Sequence, residues 1–72
     1  MVAPDETTAA NLRAALARRK MTNTEMASRL GVSEMWVSRR VNAKQPIRVT
    51  DLARMAAVLG MRPVDLLGED AA

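Results

Sequence analysis

The sequence contains no cysteine, histidine, tyrosine or phenylalanine, and a single tryptophan. Without cysteine, neither disulfides nor thiolate-bound metals can reinforce the chain. Without His, Cys or Tyr, the usual general bases and activated nucleophiles are missing. The three glycines, Gly31, Gly60 and Gly68, stand too far apart for a phosphate-cradling loop, and no metal-ligand spacing is present. An enzyme is therefore not expected, nor any cofactor or metal. Long apolar runs are also lacking. The most apolar stretch, residues 55–61, is far shorter than the roughly 20 residues needed to span a bilayer. The N-terminus carries Asp5 and Glu6 and no apolar export core. The expectation is a cytoplasmic protein of a bacterium or phage-infected host, associated with the nucleoid, with no membrane partner. No repeat, low-complexity run or interdomain linker is present. The 72 residues fit one domain, with an ordered core over about residues 6–67 and short flexible tails.

What is present is alanine and arginine, 13 and nine residues. Alanine is the best helix former, and the aromatics favoured in strands are almost absent, so the expected class is all-α. Charge is unevenly spread around a net +3: residues 13–48 hold nine basic side chains against Glu25 and Glu34, a local +7, between two ends of −2 each. A basic middle between acidic ends has two readings, a solvated surface or the footprint of a polyanion.

Five helical segments are predicted. The first covers about residues 7–19, with Leu12, Ala15 and Leu16 on one face, Asp5 and Glu6 at its positive end and Arg18, Arg19 and Lys20 at its negative end. The second covers residues 23–30. Thr22 and Glu25 have capping-box spacing, Met21 and Met26 that of a hydrophobic staple, and Gly31 suits a left-handed helix end. The third follows Ser33, a good N-cap, repeats the staple with Val32 and Val37, turns Val37 and Val41 inward, and ends near Asn42 or Ala43. The fourth covers about residues 50–59, with Leu52, Met55, Ala56 and Leu59 on one face and Gly60 at its end. The fifth is short, with Pro63 in its first turn and Val64, Leu66 and Leu67 as apolar content. The methionines Met21, Met26, Met55 and Met61 are read as core packing.

Two short helices joined by Gly31-Val32-Ser33 make helix-turn-helix geometry, with Ala27 small where the helices cross. The run Thr22-Asn23-Thr24-Glu25-Met26-Ala27-Ser28-Arg29-Leu30-Gly31-Val32-Ser33 resembles the helix-turn-helix of the Cro and lambda-repressor-like family. Residues 52–61 resemble that family's fourth helix, and Val37-Ser38-Arg39-Arg40-Val41-Asn42 is similar to variants common in actinobacteria and their phages. The resemblance covers about residues 8–67. It implies a compact five-helix domain, helix-turn-helix at helices two and three, whose third helix enters the DNA major groove. Asn23 stands where many members carry a phosphate-contacting Gln, and Arg40 where many carry an apolar residue.

With Val37 and Val41 inward, 100° per residue points Met35, Arg39 and Asn42 away from the core, Glu34 and Ser38 to one flank, Trp36 and Arg40 to the other. The resemblance implies base-reading positions at Glu34, Met35, Ser38 and Arg39. Arg39 can pair with guanine O6 and N7, Glu34 can accept from cytosine N4 or simply favour the helix dipole, and Met35 can touch a thymine methyl. Expected phosphate contacts are Asn23, Trp36, Arg40, Asn42, Lys44, Gln45 and Arg48. For Trp36 a half-buried ring against helix two or the loop before helix four is the alternative.

The expected function is a small transcriptional regulator on double-stranded DNA, a phage Cro-like protein or repressor, with no small-molecule effector. The alternative is a protein-interaction module of the same fold, an antitoxin or polymerase adaptor. Such domains usually bind as two-fold pairs on roughly palindromic sites. Val58, Met61, Val64, Leu66 and Leu67 are the expected interface of a weak homodimer, formed on DNA if not free.

Overall fold

A computed structural model describes residues 2–3 and 6–68. Four α-helices, α1 (Glu6–Arg18), α2 (Asn23–Leu30), α3 (Glu34–Val41) and α4 (Val49–Leu59), surround one apolar core. The expected fifth helix is a single 3-10 turn, Pro63–Leu66. Proline sets its first position, and Arg62 closes it by binding Asp65 through both main-chain and side-chain N–H groups. The side-chain hydrogen bond from Arg62, chiefly, holds the Asp65 carboxyl below the usual carboxylate range. Four residues at about three per turn are enough for a stop, too few for a helix face.

The helix starts follow the caps. Thr22 Oγ1 accepts from the Glu25 N–H at 3.0 Å, and Ser33 Oγ from the Trp36 N–H at 3.1 Å. The Glu25 carboxylate turns to Arg29, 3.1 Å away, rather than back to Thr22. The helix ends share one pattern. Each α-helix runs into a residue in the left-handed region: Lys20 (φ 53°), Gly31 (73°), Ala43 (60°) and Gly60 (71°). After each, a backbone N–H reaches back five residues: Met21 to Leu16, Val32 to Ala27, Lys44 to Arg39 and Met61 to Ala56. These are Schellman motifs. Glycine adopts this conformation freely, whereas alanine and lysine do so at a cost of about 1–2 kcal/mol.

Val2–Ala3 forms a short strand, β1, antiparallel to β2 (Ile47–Arg48), with Val2 opposite Arg48 and Ala3 opposite Ile47. This pairing was not expected. The expected loop over residues 44–46 leads into a strand whose Ile47 is buried in the core. The remaining residues of the expected tails, 1, 4, 5 and 69–72, lie outside the described residues, and with them Asp5.

The core joins Leu12, Ala15 and Leu16 of α1 to Met26, Ala27 and Leu30 of α2, Val37 and Val41 of α3, and Leu52, Met55, Ala56 and Leu59 of α4. Met21 and Met61 pack against it, partly buried. Leu66 joins it too and is 0 % exposed, so the expectation that it serves a dimer interface is corrected: it has no surface to offer a second copy. Asn11 is buried beside it and donates both amide hydrogens, to Leu66 O at 2.9 Å and Gly68 O at 2.8 Å. Among the described residues no helix is long and apolar enough to cross a membrane.

Candidate nucleic-acid interface

α3 sits at the edge of the molecule because only Val37 and Val41 of its eight residues are buried. It packs mainly on α2 and also on α1. An α-helix with its side chains is about 10–12 Å across, a cross-section that the B-DNA major groove, about 12 Å wide, admits. The Ser33 cap leaves Glu34 and Met35 in the first turn, both exposed, Met35 at 59 %. Arg39 is exposed one turn further on, and Ser38 is half-buried beside it. Asn42 Nδ2 donates to both Ser38 O (2.9 Å) and Ser38 Oγ (3.3 Å), which leaves the Ser38 hydroxyl hydrogen for another acceptor. The four expected base-reading residues thus share α3, three of them exposed.

The expected phosphate contacts are spread over α2, α3, the turn after α3 and β2. Asn23 opens α2, half-buried. Lys44 and Gln45 are exposed on the turn after α3, and Arg48 is exposed on β2. Trp36 is half-buried and packs against the core, and Arg40 lies over its ring. Among the described residues, the side chains of Arg39, Lys44 and Arg48 make no hydrogen bond or ion pair.

The rest of the basic middle is used differently. Arg13 Nη1 donates to Val41 O at 2.6 Å, the last carbonyl of α3, while its Nη2 binds Glu6 at 2.7 Å. Arg19 Nε donates to Leu59 O at 2.7 Å, the last carbonyl of α4. Arg54 Nη2 donates to Leu30 O at 2.7 Å, the last carbonyl of α2. A guanidinium at the negative end of a helix dipole satisfies an orphan carbonyl and adds a favourable charge interaction. Sequence reasoning counted Arg13 and Arg19 only within the basic middle and missed this role, because the carbonyls they reach are 28 and 40 residues away.

A short helix held on its partner by a tight turn, with an exposed outer face and with cations on it and after it that are unpaired among the described residues, defines a DNA-binding helix-turn-helix module. Family comparison agrees: the model for the Cro/C1-type HTH DNA-binding domain matches residues 11–70. The chain belongs to that family. No curated protein and no solved structure matches it.

Proposed function

We propose that the protein is a sequence-specific regulator of transcription that occupies operator DNA with α3 in the major groove, in the manner of a phage Cro-like protein or repressor. The carrying observation is a set of cations left unused by the fold: Arg39 on α3, Lys44 on the turn after it and Arg48 on β2 have no intramolecular partner among the described residues, while Arg13, Arg19 and Arg54 are tied to helix ends. In this reading Arg39, Glu34, Met35 and Ser38 face base edges. Asn23, Arg40, Asn42, Lys44, Gln45 and Arg48 face phosphates, and Trp36 stands at the same flank. Selection of bound sites from a random duplex library tests it: a recovered consensus supports operator recognition, and unselective recovery defeats it.

One recognition helix covers few base pairs, so a roughly palindromic operator read by a pair is part of the proposal. Val64 and Leu67 are 59 % and 47 % exposed beside half-buried Val58 and Met61, which supplies an apolar surface for a second copy. Light scattering with operator duplex decides between two proteins per duplex and one.

The second reading, a protein-interaction module, draws support from exposed Met35, an apolar group on the face that would meet the partner. Retention on heparin or bulk duplex with steep salt dependence favours DNA, because counterion release has no equivalent at a neutral protein interface.

A further inference from the structure

Among the described residues one buried side-chain nitrogen lacks a hydrogen-bond partner, Arg40 Nε. Its surroundings explain it. The guanidinium carbon stands 3.9 Å from the centre of the Trp36 ring. The face of an indole is electron-rich and attracts a stacked guanidinium. Arg40 Nη1 also donates to the Trp36 carbonyl oxygen at 3.1 Å. Residue 36 thus holds residue 40 twice, across one helical turn. The ring is itself fixed, packed against the core. Arg39, Lys44 and Arg48 have no comparable restraint.

We infer that Trp36 is a positioning residue for DNA binding that acts through Arg40: the indole sets the guanidinium in place, before DNA arrives, as a phosphate donor on the flank of α3. This rests on the reading that α3 enters the major groove. Val37 and Val41 face the core and Arg39 faces outward, so Arg40 lies at the side of the helix, where a groove-bound helix meets a sugar-phosphate strand rather than base edges. One Nη1 hydrogen and both Nη2 hydrogens remain available. A free arginine loses rotamer freedom when it binds, whereas a stacked one has lost it already on folding. The indole therefore raises affinity for every duplex alike and reads no base.

The test is binding of a labelled mixed-sequence duplex across a salt series, by fluorescence anisotropy, with folding checked by circular dichroism. Trp36→Leu and Arg40→Lys each break the stack and keep all charge. Each is expected to weaken binding about three- to tenfold, the range for one pre-ordered side chain. Salt slopes stay at the wild-type value, and the double variant is no weaker than either single one. Trp36→Phe keeps a ring face and stays near wild type. Arg40→Gln lowers the slope by about one unit, and adding Trp36→Leu to it weakens binding no further. The inference is overturned if Trp36→Leu costs as much beside Arg40→Gln as alone, because the indole then touches DNA itself. It is overturned equally if Arg40→Lys binds like wild type, a result that decides the matter even where Trp36→Leu does not fold. A wild-type protein without salt-dependent duplex binding defeats the DNA reading, and this inference with it.

Discussion

Five of the nine arginines divide between two regions of this molecule with opposite fates. At the junctions between helices, Arg13, Arg54 and Arg19 each give a guanidinium to the last carbonyl of α3, α2 and α4 respectively. On the stretch from α3 through β2, Arg39 and Arg48, with Lys44, make no such bond among the described residues. Side-chain chemistry does not separate the two sets. What separates them is reach, since a helix C-terminus lies within 3 Å of each guanidinium in the first set. Net charge therefore overstates the surface available to a polyanion. Part of the +7 middle is structural, and three of the cations without a partner among the described residues lie on α3, the turn after it and β2.

If this division is right, the two sets must fail differently when altered. The largest effect is expected from Arg13→Met, Arg19→Met and Arg54→Met together. Each charge-assisted bond to a partly buried carbonyl is worth about 1–2 kcal/mol. A domain of this size has ~4–10 kcal/mol in total. The triple variant should lose much of that and melt broadly by circular dichroism. Single variants should drop Tm by several degrees with the DNA salt slope unmoved, and a changed slope in a folded single variant would break the comparison. Arg39→Ala should leave Tm unchanged and cost about 1–3 kcal/mol in operator binding, relaxing base preference at one position of each half-site. Equal weakening on operator and random duplex would move Arg39 to the phosphate class. Lys44→Ala and Arg48→Ala should weaken all sequences alike, each lowering the salt slope by about one unit. Unchanged slopes in both would place the clamp elsewhere, with Lys20 the next residue to test. The smallest effect is a gain. Ala43→Gly relieves a left-handed alanine but loosens the unfolded chain, for a net stabilisation of about 0.5–1 kcal/mol. A fall in Tm would show that the Ala43 methyl has a packing role.

Much of the fold was legible because its signals are local. Thr22, Ser33, Gly31 and Gly60 mark helix ends within three or four residues, and Leu52, Met55, Ala56 and Leu59 repeat at helical spacing and are all buried. Legibility failed where a local signal was absent or a contact was distant. The helix ends before Lys20 and Ala43 fall where they were expected, but nothing in the chemistry of these two residues announces their left-handed conformation. The β1–β2 pair brings together residues more than 40 positions apart, with two residues in each strand. Leu66 and Leu67 are adjacent apolar residues on a turn too short to have a face, so spacing alone does not say that Leu66 is buried and Leu67 exposed. At the interface, the outward direction of Arg39 followed from two valines. The Trp36–Arg40 stack did not, since both residues were placed on the flank without a contact between them.

The Asn11 clasp has a consequence in time. The α2–α3 pair is joined by a tight turn and closes at little entropic cost, whereas Asn11 meets Leu66 O and Gly68 O across 55 and 57 residues. Bonds that span most of a chain form after the loop between them has been drawn in by other contacts. The clasp is thus a latch set late, on the native side of the folding barrier. Removing it by Asn11→Ala should leave the refolding rate nearly unchanged and speed unfolding, so that the cost appears in how long the folded molecule lasts rather than in how fast it forms.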